Sequence, residues 1–169
     1  VRGTVTDNNP DHYYLVITGP NGYKVGPGTV TDKVSFTDQS LFSWNLNGLA
    51  SGTYTIDLEA RDAAGNKDAG SVTTEQVTVD NTAPTLTIDS YNGTDTTPTI
   101  TGTIDDPNAT IELSLDGGTA QTATNNGDGT WTFQVTNPLS VGSHTVSVTA
   151  TDQVGNQFDD TADITVTTV

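Results

Sequence analysis

VGSHTVSVTATDQVGN, residues 141–156, alternates apolar and polar side chains: Val146, Val148 and Ala150 interleave with Thr145, Ser147, Thr149 and Thr151. A period of two is the pattern of a strand with one buried face. Thr and Val suit such a pleated surface. SGTYTIDLEARDAAGN, residues 51–66, lies over this stretch without a gap. Ile56, Leu58 and Ala60 there alternate with Thr55, Asp57 and Glu59. Gly52/Gly142, Thr55/Thr145, Ala60/Ala150, Asp62/Asp152, Gly65/Gly155 and Asn66/Asn156 are identical pairs.

Two more segments repeat upstream. Phe42-x-Trp44-x-Leu46 lies over Trp131-x-Phe133-x-Val135, each read as a strand that turns aromatics to the core. Val1-x-Gly3-Thr4-Val5 lies over Ile100-x-Gly102-Thr103-Ile104. Three segments in the same order in both halves make an internal repeat. Turn signals recur between the runs, at Pro20-Asn21-Gly22, Asp116-Gly117-Gly118 and Asn126-Gly127-Asp128-Gly129. No window shows a period of 3.6. The sequence therefore predicts an all-β fold: two tandem antiparallel β-sandwich domains. The expected domains are 1–80, lacking its first strand, and 81–169. Strands in the second are expected near 86–90, 99–104, 111–115, 130–136, 143–151 and 162–167, with a short one at 121–123. The first copy is longer between Ile17 and Leu41.

The composition agrees. Only 32% of the residues are hydrophobic, which suits two thin cores better than one large one. Cysteine is absent, so disulfides cannot reinforce them. Asp and Glu number 21 against 5 Lys and Arg, a net charge of −16. Phosphate binding needs a basic face, so nucleic acid is an unsuitable partner. No apolar run reaches membrane-spanning length, so no membrane insertion is expected. The chain opens inside a strand-like run with no leader before it, which suggests a piece of a longer protein. A monomer is expected.

The pieces VDNTAPT (residues 79–85), GTIDDPNATIELSLDGG (102–118), NNGDGTWTF (125–133) and GSHTVSVTATDQVGN (142–156) together resemble bacterial immunoglobulin-like (Big) repeats. They are most similar to the calcium-stabilised tandem repeats of large cell-surface adhesins. The resemblance covers the second copy and most of the first, which departs from it at residues 23–40. It implies two tandem immunoglobulin-like antiparallel β-sandwich domains and a secreted, surface-located, non-enzymatic spacer or display repeat whose partners are neighbouring repeats of the same chain. Some repeats of this kind bind ligands near the adhesin tip. A host or surface glycan or protein ligand could thus sit elsewhere in the parent protein.

Chain direction in an antiparallel sandwich brings four segments to one apex of the second copy. They carry Asp80 and Asn81, Asp105 and Asp106, Asp128, and Asp152 and Asn156. No Lys or Arg lies among them. Unpaired carboxylates so close would repel and shift their pKa values upward. A hard cation would relieve them, and Ca²⁺ accepts six to eight oxygens in tolerant geometry. Zinc is poorly served without Cys. The equivalent apex of the first copy offers Asp7, Asp11, Asp38, Asp62 and Asn66. The competing reading is turn chemistry: Asp and Asn bond their own backbone, and Gly65 and Gly155 supply positive φ.

Other functional classes have weaker support. The neighbouring carboxylates Asp105-Asp106 and Asp159-Asp160 suggest glycoside hydrolysis only if they converge. Adjacent strand residues point to opposite faces. No Ser–His–Asp spacing stands out, and His12 and His144 read as structural. A glycan- or receptor-binding module, at an adhesin tip or attached to a secreted enzyme, is the alternative. Its candidate aromatics are Tyr13, Tyr14 and Tyr23, beside the longer 23–40 segment. An intramolecular isopeptide bond would need Lys24, Lys33 or Lys67, and the second copy has no Lys.

Overall fold

The structure, a computed structural model, describes residues 1–5, 10–31, 36–67 and 72–169. The chain forms two units, Val1–Asn81 and Thr82–Val169. Asn81, expected to open the second domain, is bound into the first. Its N–H donates to Ser51 Oγ (2.9 Å), and its side-chain amide donates to the Leu49 (2.9 Å) and Leu46 (3.4 Å) carbonyls.

In the first unit the strands are β1 (Arg2–Val5), β2 (Pro10–Thr18), β3 (Lys24–Thr31), β4 (Phe36–Ser40), β5 (Gly52–Asp62) and β6 (Val72–Val79). A single 3-10 turn, Pro20–Gly22, follows β2. One sheet has the order β3-β2-β5-β6 and the other pairs β1 with β4. The extra residues of this copy go largely into β3, which runs back along β2 from Lys24↔Thr18 to Thr31↔His12. Two core clusters, around Tyr13 and Leu15 and around Ile17, Tyr54 and Val79, meet at Val1 and Phe42, which pack against both.

The expected strand at Phe42-x-Trp44-x-Leu46 is not formed. The strand lies earlier, at β4, and ends as the Val1 carbonyl takes the amides of Leu41 (3.0 Å) and Phe42 (3.4 Å). Gly3 faces Gln39. In the second unit Gly102 faces Trp131, and the repeat alignment would have set Gly3 against Phe42. The aromatic spacing is kept, and Phe42 and Trp44 still pack on the core. Ladder pairing and burial of the aromatics are thus separated in this segment. Leu46 is exposed.

The second unit contains β7 (Asn92–Gly93), β8 (Thr99–Thr103), β9 (Thr110–Leu115), β10 (Gln121–Asn125), β11 (Thr130–Gln134), β12 (Gly142–Thr151) and β13 (Gln157–Val166). The hydrogen-bonded order is β7-β13-β12-β9-β10-β11-β8. The ladder changes layer at β10: Gln121, Thr122 and Ala123 pair with β9, whereas Thr124 and Asn125 pair with β11. Ile100, Trp131 and Phe133 of one layer thus share a core with Ile111, Leu113, Val146, Val148, Ala150 and Ile164 of the other.

The expected strand at 86–90 is reduced to one bridge, Leu86↔Ile104, with the amides of Thr87 and Asp89 donating to the Thr103 and Thr101 carbonyls (both 2.9 Å). The Thr87 carbonyl leaves the ladder and accepts the Trp131 indole N–H at 2.9 Å. The chain then crosses to the other layer, where β7 joins β13 in parallel. Among the described residues no helix is long and apolar enough to cross a membrane.

Candidate functional site

Four loop segments of the second unit gather at one end of its sandwich. The Asp105 loop is fixed to the segment that opens the unit: Thr85 N–H donates to Asp105 Oδ1 (2.7 Å) and Thr85 Oγ1 to Oδ2 (2.6 Å). The 125–129 loop joins them through Ile104 N–H to the Gly129 carbonyl (3.0 Å). Asn125 Nδ2 bridges the Asp106 and Ala109 carbonyls at 2.9 and 3.0 Å. The β12–β13 loop arrives with Asn156, whose Nδ2 donates to the Thr82 carbonyl at 3.4 Å.

That loop is closed by its own aspartate. Asp152 Oδ1 accepts the amides of Val154 (2.9 Å), Gly155 (2.7 Å) and Asn156 (2.8 Å), and Oδ2 accepts Asn156 Nδ2 (2.7 Å). Asp62 does the same in the first unit, taking the amides of Ala64 and Asn66 and the Asn66 side chain at 2.8–2.9 Å. Gly65 (φ +82) and Gly155 (φ +99) turn left-handed to allow it. An L side chain is strained there although neither site is crowded.

The remaining carboxylates are also bonded locally. Asp106 Oδ1 takes the Asn108 amide (2.8 Å). Asp128 Oδ1 takes the amide (3.1 Å) and hydroxyl (2.6 Å) of Thr130. Asp80 Oδ1 accepts from Ser51 Oγ at 3.4 Å, within the first unit. Asp7 and Lys33 lie outside the described residues, and Asp38 falls on β4. Among the described residues, no three His, Asp or Glu side chains are grouped as a metal site.

Crowding was expected to raise the carboxyl pKa values; the shifts run the other way. The Thr85 hydroxyl and then its amide hold Asp105 below the ordinary value. The Thr130 hydroxyl and amide do so for Asp128, and the Asn66 side chain and amide for Asp62. At Asp152 partial desolvation pushes upward, but the Asn156 side chain and three loop amides together outweigh it. Donors aimed at the charged form favour it.

A depressed carboxyl pKa gives stability that is fully present above the unfolded value and lost as pH falls through the folded one. Acid titration of the second unit should therefore be flat down to the ordinary 3.8 and decline below it. In Asp105→Asn, Asp152→Asn the acid limb should flatten. Thermal midpoints recorded against pH check this; an equally steep limb in the variant would contradict it.

Two stacked layers, a β10 that changes layer and a strand split between them define an immunoglobulin-like sandwich. Residues 87–168, nearly all of the second unit, match the model of a family described as bacterial Ig-like domain. No curated protein matches the chain. Three solved structures are similar to it. One is a tetra-tandem repeat in the extending region of a large adhesion protein, with 24% identity over 98% of this chain and 44% of that one, TM-score 0.44. Another is from work on host cell surface retention of a 1.5-MDa bacterial ice-binding adhesin, with 17% identity over 99% and 56%, TM-score 0.44. The third is SGBP-B of Bacteroides ovatus in complex with a mixed-linkage heptasaccharide, with 18% identity over 98% and 40%, TM-score 0.28. The chain spans less than half of the first and third and just over half of the second.

Proposed function

We propose that the chain is a pair of non-enzymatic spacer or display repeats from an extracellular bacterial surface adhesin, with further repeats of the same protein as its neighbours. The observation that carries this is structural repetition. Each unit has its own core and carries the same Asp-x-x-Gly-Asn turn at the end of its long strand. The two neighbouring carboxylate pairs that could suggest a hydrolase are each engaged by separate local donors. Asp105 binds Thr85 and Asp106 binds Asn108, while Asp159 accepts the Thr149 hydroxyl (2.6 Å) and Asp160 the Thr161 amide (2.8 Å).

The binding-module alternative is weakened by where its aromatics lie. Tyr13 is buried. Tyr23 meets Tyr54 edge-on at 5.3 Å and accepts the Trp44 indole N–H at 3.0 Å, so its ring and hydroxyl are both engaged. The spacer reading expects silence on a glycan array. Binding that disappears in Tyr23→Ala would overturn it in favour of the module.

Calcium stays part of the proposal, supported by the loops gathered at one end of a unit with 11 acidic and no Lys or Arg side chains. Extracellular calcium modules bind with dissociation constants of about 10⁻⁴–10⁻³ M. Tenfold excess over such a value adds about 1.4 kcal/mol per site by mass action. The melting temperature should rise by several degrees in millimolar Ca²⁺ relative to chelator, with Mg²⁺ inactive. An unchanged midpoint would leave the Asp and Asn loops as turn chemistry.

A further inference from the structure

Tyr54 and His144 occupy the same position in the repeat, two residues after the glycine that opens β5 or β12. Both are buried and both reach back four residues to a backbone carbonyl. Tyr54 Oη donates to Ala50 (2.9 Å), and His144 Nε2 lies 2.9 Å from the Ser140 oxygen. A tyrosine that ties a strand start to the preceding corner is a known device of such sandwiches. In the second unit a titratable ring has taken its place.

The other ring nitrogen also faces an acceptor: Nδ1 lies 2.7 Å from Asp116 Oδ2. A neutral imidazole has one N–H and cannot donate to both oxygens, whereas the imidazolium donates to both. Asp116 is held in place by a further bond, the Thr145 amide to its Oδ1 at 2.9 Å. It is the charged group that faces the ring. The 135–141 segment brings only the Ser140 carbonyl and no titratable side chain. Across the ladder the neighbour is Ile164, and Asp163 is turned to Thr145, which donates to it at 2.9 Å. The surroundings favour the cation too. Residues 82–169 carry 11 Asp and Glu and no Lys or Arg, so His144 is the sole side chain there that takes up positive charge near neutrality.

We propose that a protonated His144 pins the corner of the second unit between Asp116 and Ser140, and that this unit loosens when the proton leaves. The hydrogen bond to Asp116 and then that to the Ser140 carbonyl raise the histidine above its ordinary 6.5, against the opposing effect of burial. For a raised pKa the stabilisation is complete below the unfolded value and is lost as pH rises through the folded one.

The test uses the full chain. Its two histidines are distinguished by His12→Gln, and the imidazole proton signals are titrated by NMR from pH about 6 to about 9. Thermal unfolding of the second unit is followed in parallel through the Val146 and Val148 methyl signals. His144 should titrate above the ordinary value and Asp116→Asn should lower its midpoint. The thermal midpoint of the second unit should fall over this range in the natural chain and stay level in His144→Tyr. A His144 midpoint at or below the ordinary value, or the same fall in His144→Tyr, overturns the proposal. Should His144→Tyr not fold, an unmoved midpoint in Asp116→Asn overturns it equally.

Discussion

Gly102→Ala is expected to destabilise the second unit by about 3–5 kcal/mol, combining overpacking with an orphaned buried donor. The residue is short of space, not of conformational freedom. A Cβ on Gly102 would stand 1.9 Å from the Thr87 carbonyl oxygen and 2.5 Å from Trp131 Nε1. It would enter the hydrogen bond that joins them. One way out moves the 86–89 segment away from β8, breaking the Thr87 and Asp89 amide bonds. The other displaces Trp131, which is fully buried in the middle of the core. Small domains have about 5–15 kcal/mol in total, so either route removes much of it. Denaturant unfolding monitored by tryptophan fluorescence measures the change. A loss below about 1 kcal/mol would show that the segment relaxes at little cost. Trp131→Phe should cost less in the Gly102→Ala background than alone, because the indole nitrogen is what the methyl meets.

Gly102 also marks where sequence reading stopped. It was visible as a repeated glycine, aligned with Gly3, but the reason for it is an indole 29 positions later and a carbonyl 15 positions earlier. The strands of alternating Thr and Val were legible, since burial of one face imposes the period directly. So was the gathering of the 105–108, 125–129 and 152–156 loops, which follows from chain reversal alone. The pairing of β4 with β1 was not, because the aromatic spacing of 42–46 survives a change of register. The upward pKa shift expected of the carboxylates did not follow. Their donors lie two to four residues onward in the same loops at Asp106, Asp128 and Asp152, so spacing alone already allowed self-contained turns. His144, read as structural, is buried. Its partner Asp116 sits in a turn 28 residues away. The available signal was the alignment of Tyr54 over His144, which shows that the position serves a hydrogen-bonding ring.

Tyr54→Ala should cost the first unit about 3–5 kcal/mol, the range for removing a large buried aromatic. Tyr54 is 1% exposed and is the hub of an aromatic trio, with Tyr23 and Trp44 each 5.3 Å from its ring. Gly19 lies against it so closely that a Cβ there would come within 2.2 Å of its ring, so the backbone itself forms one wall of the slot. Truncation would leave a cavity that neither the glycine nor the two half-buried rings can fill. Tyr54→Phe keeps the packing and removes only the bond to the Ala50 carbonyl, so a loss of about 1 kcal/mol is expected. The two unfolding free energies from denaturant titration separate packing from hydrogen bonding at this corner. Equal losses would mean that the hydroxyl, not the ring, holds β5 to the chain before it. The trio also bears on function. If Tyr54 organises Tyr23 and Trp44 as core, Tyr54→Ala and Tyr23→Ala should both lower stability, the second less because Tyr23 is half-buried. A Tyr23→Ala variant of unchanged stability would instead free that ring for an external partner and revive the binding-module reading.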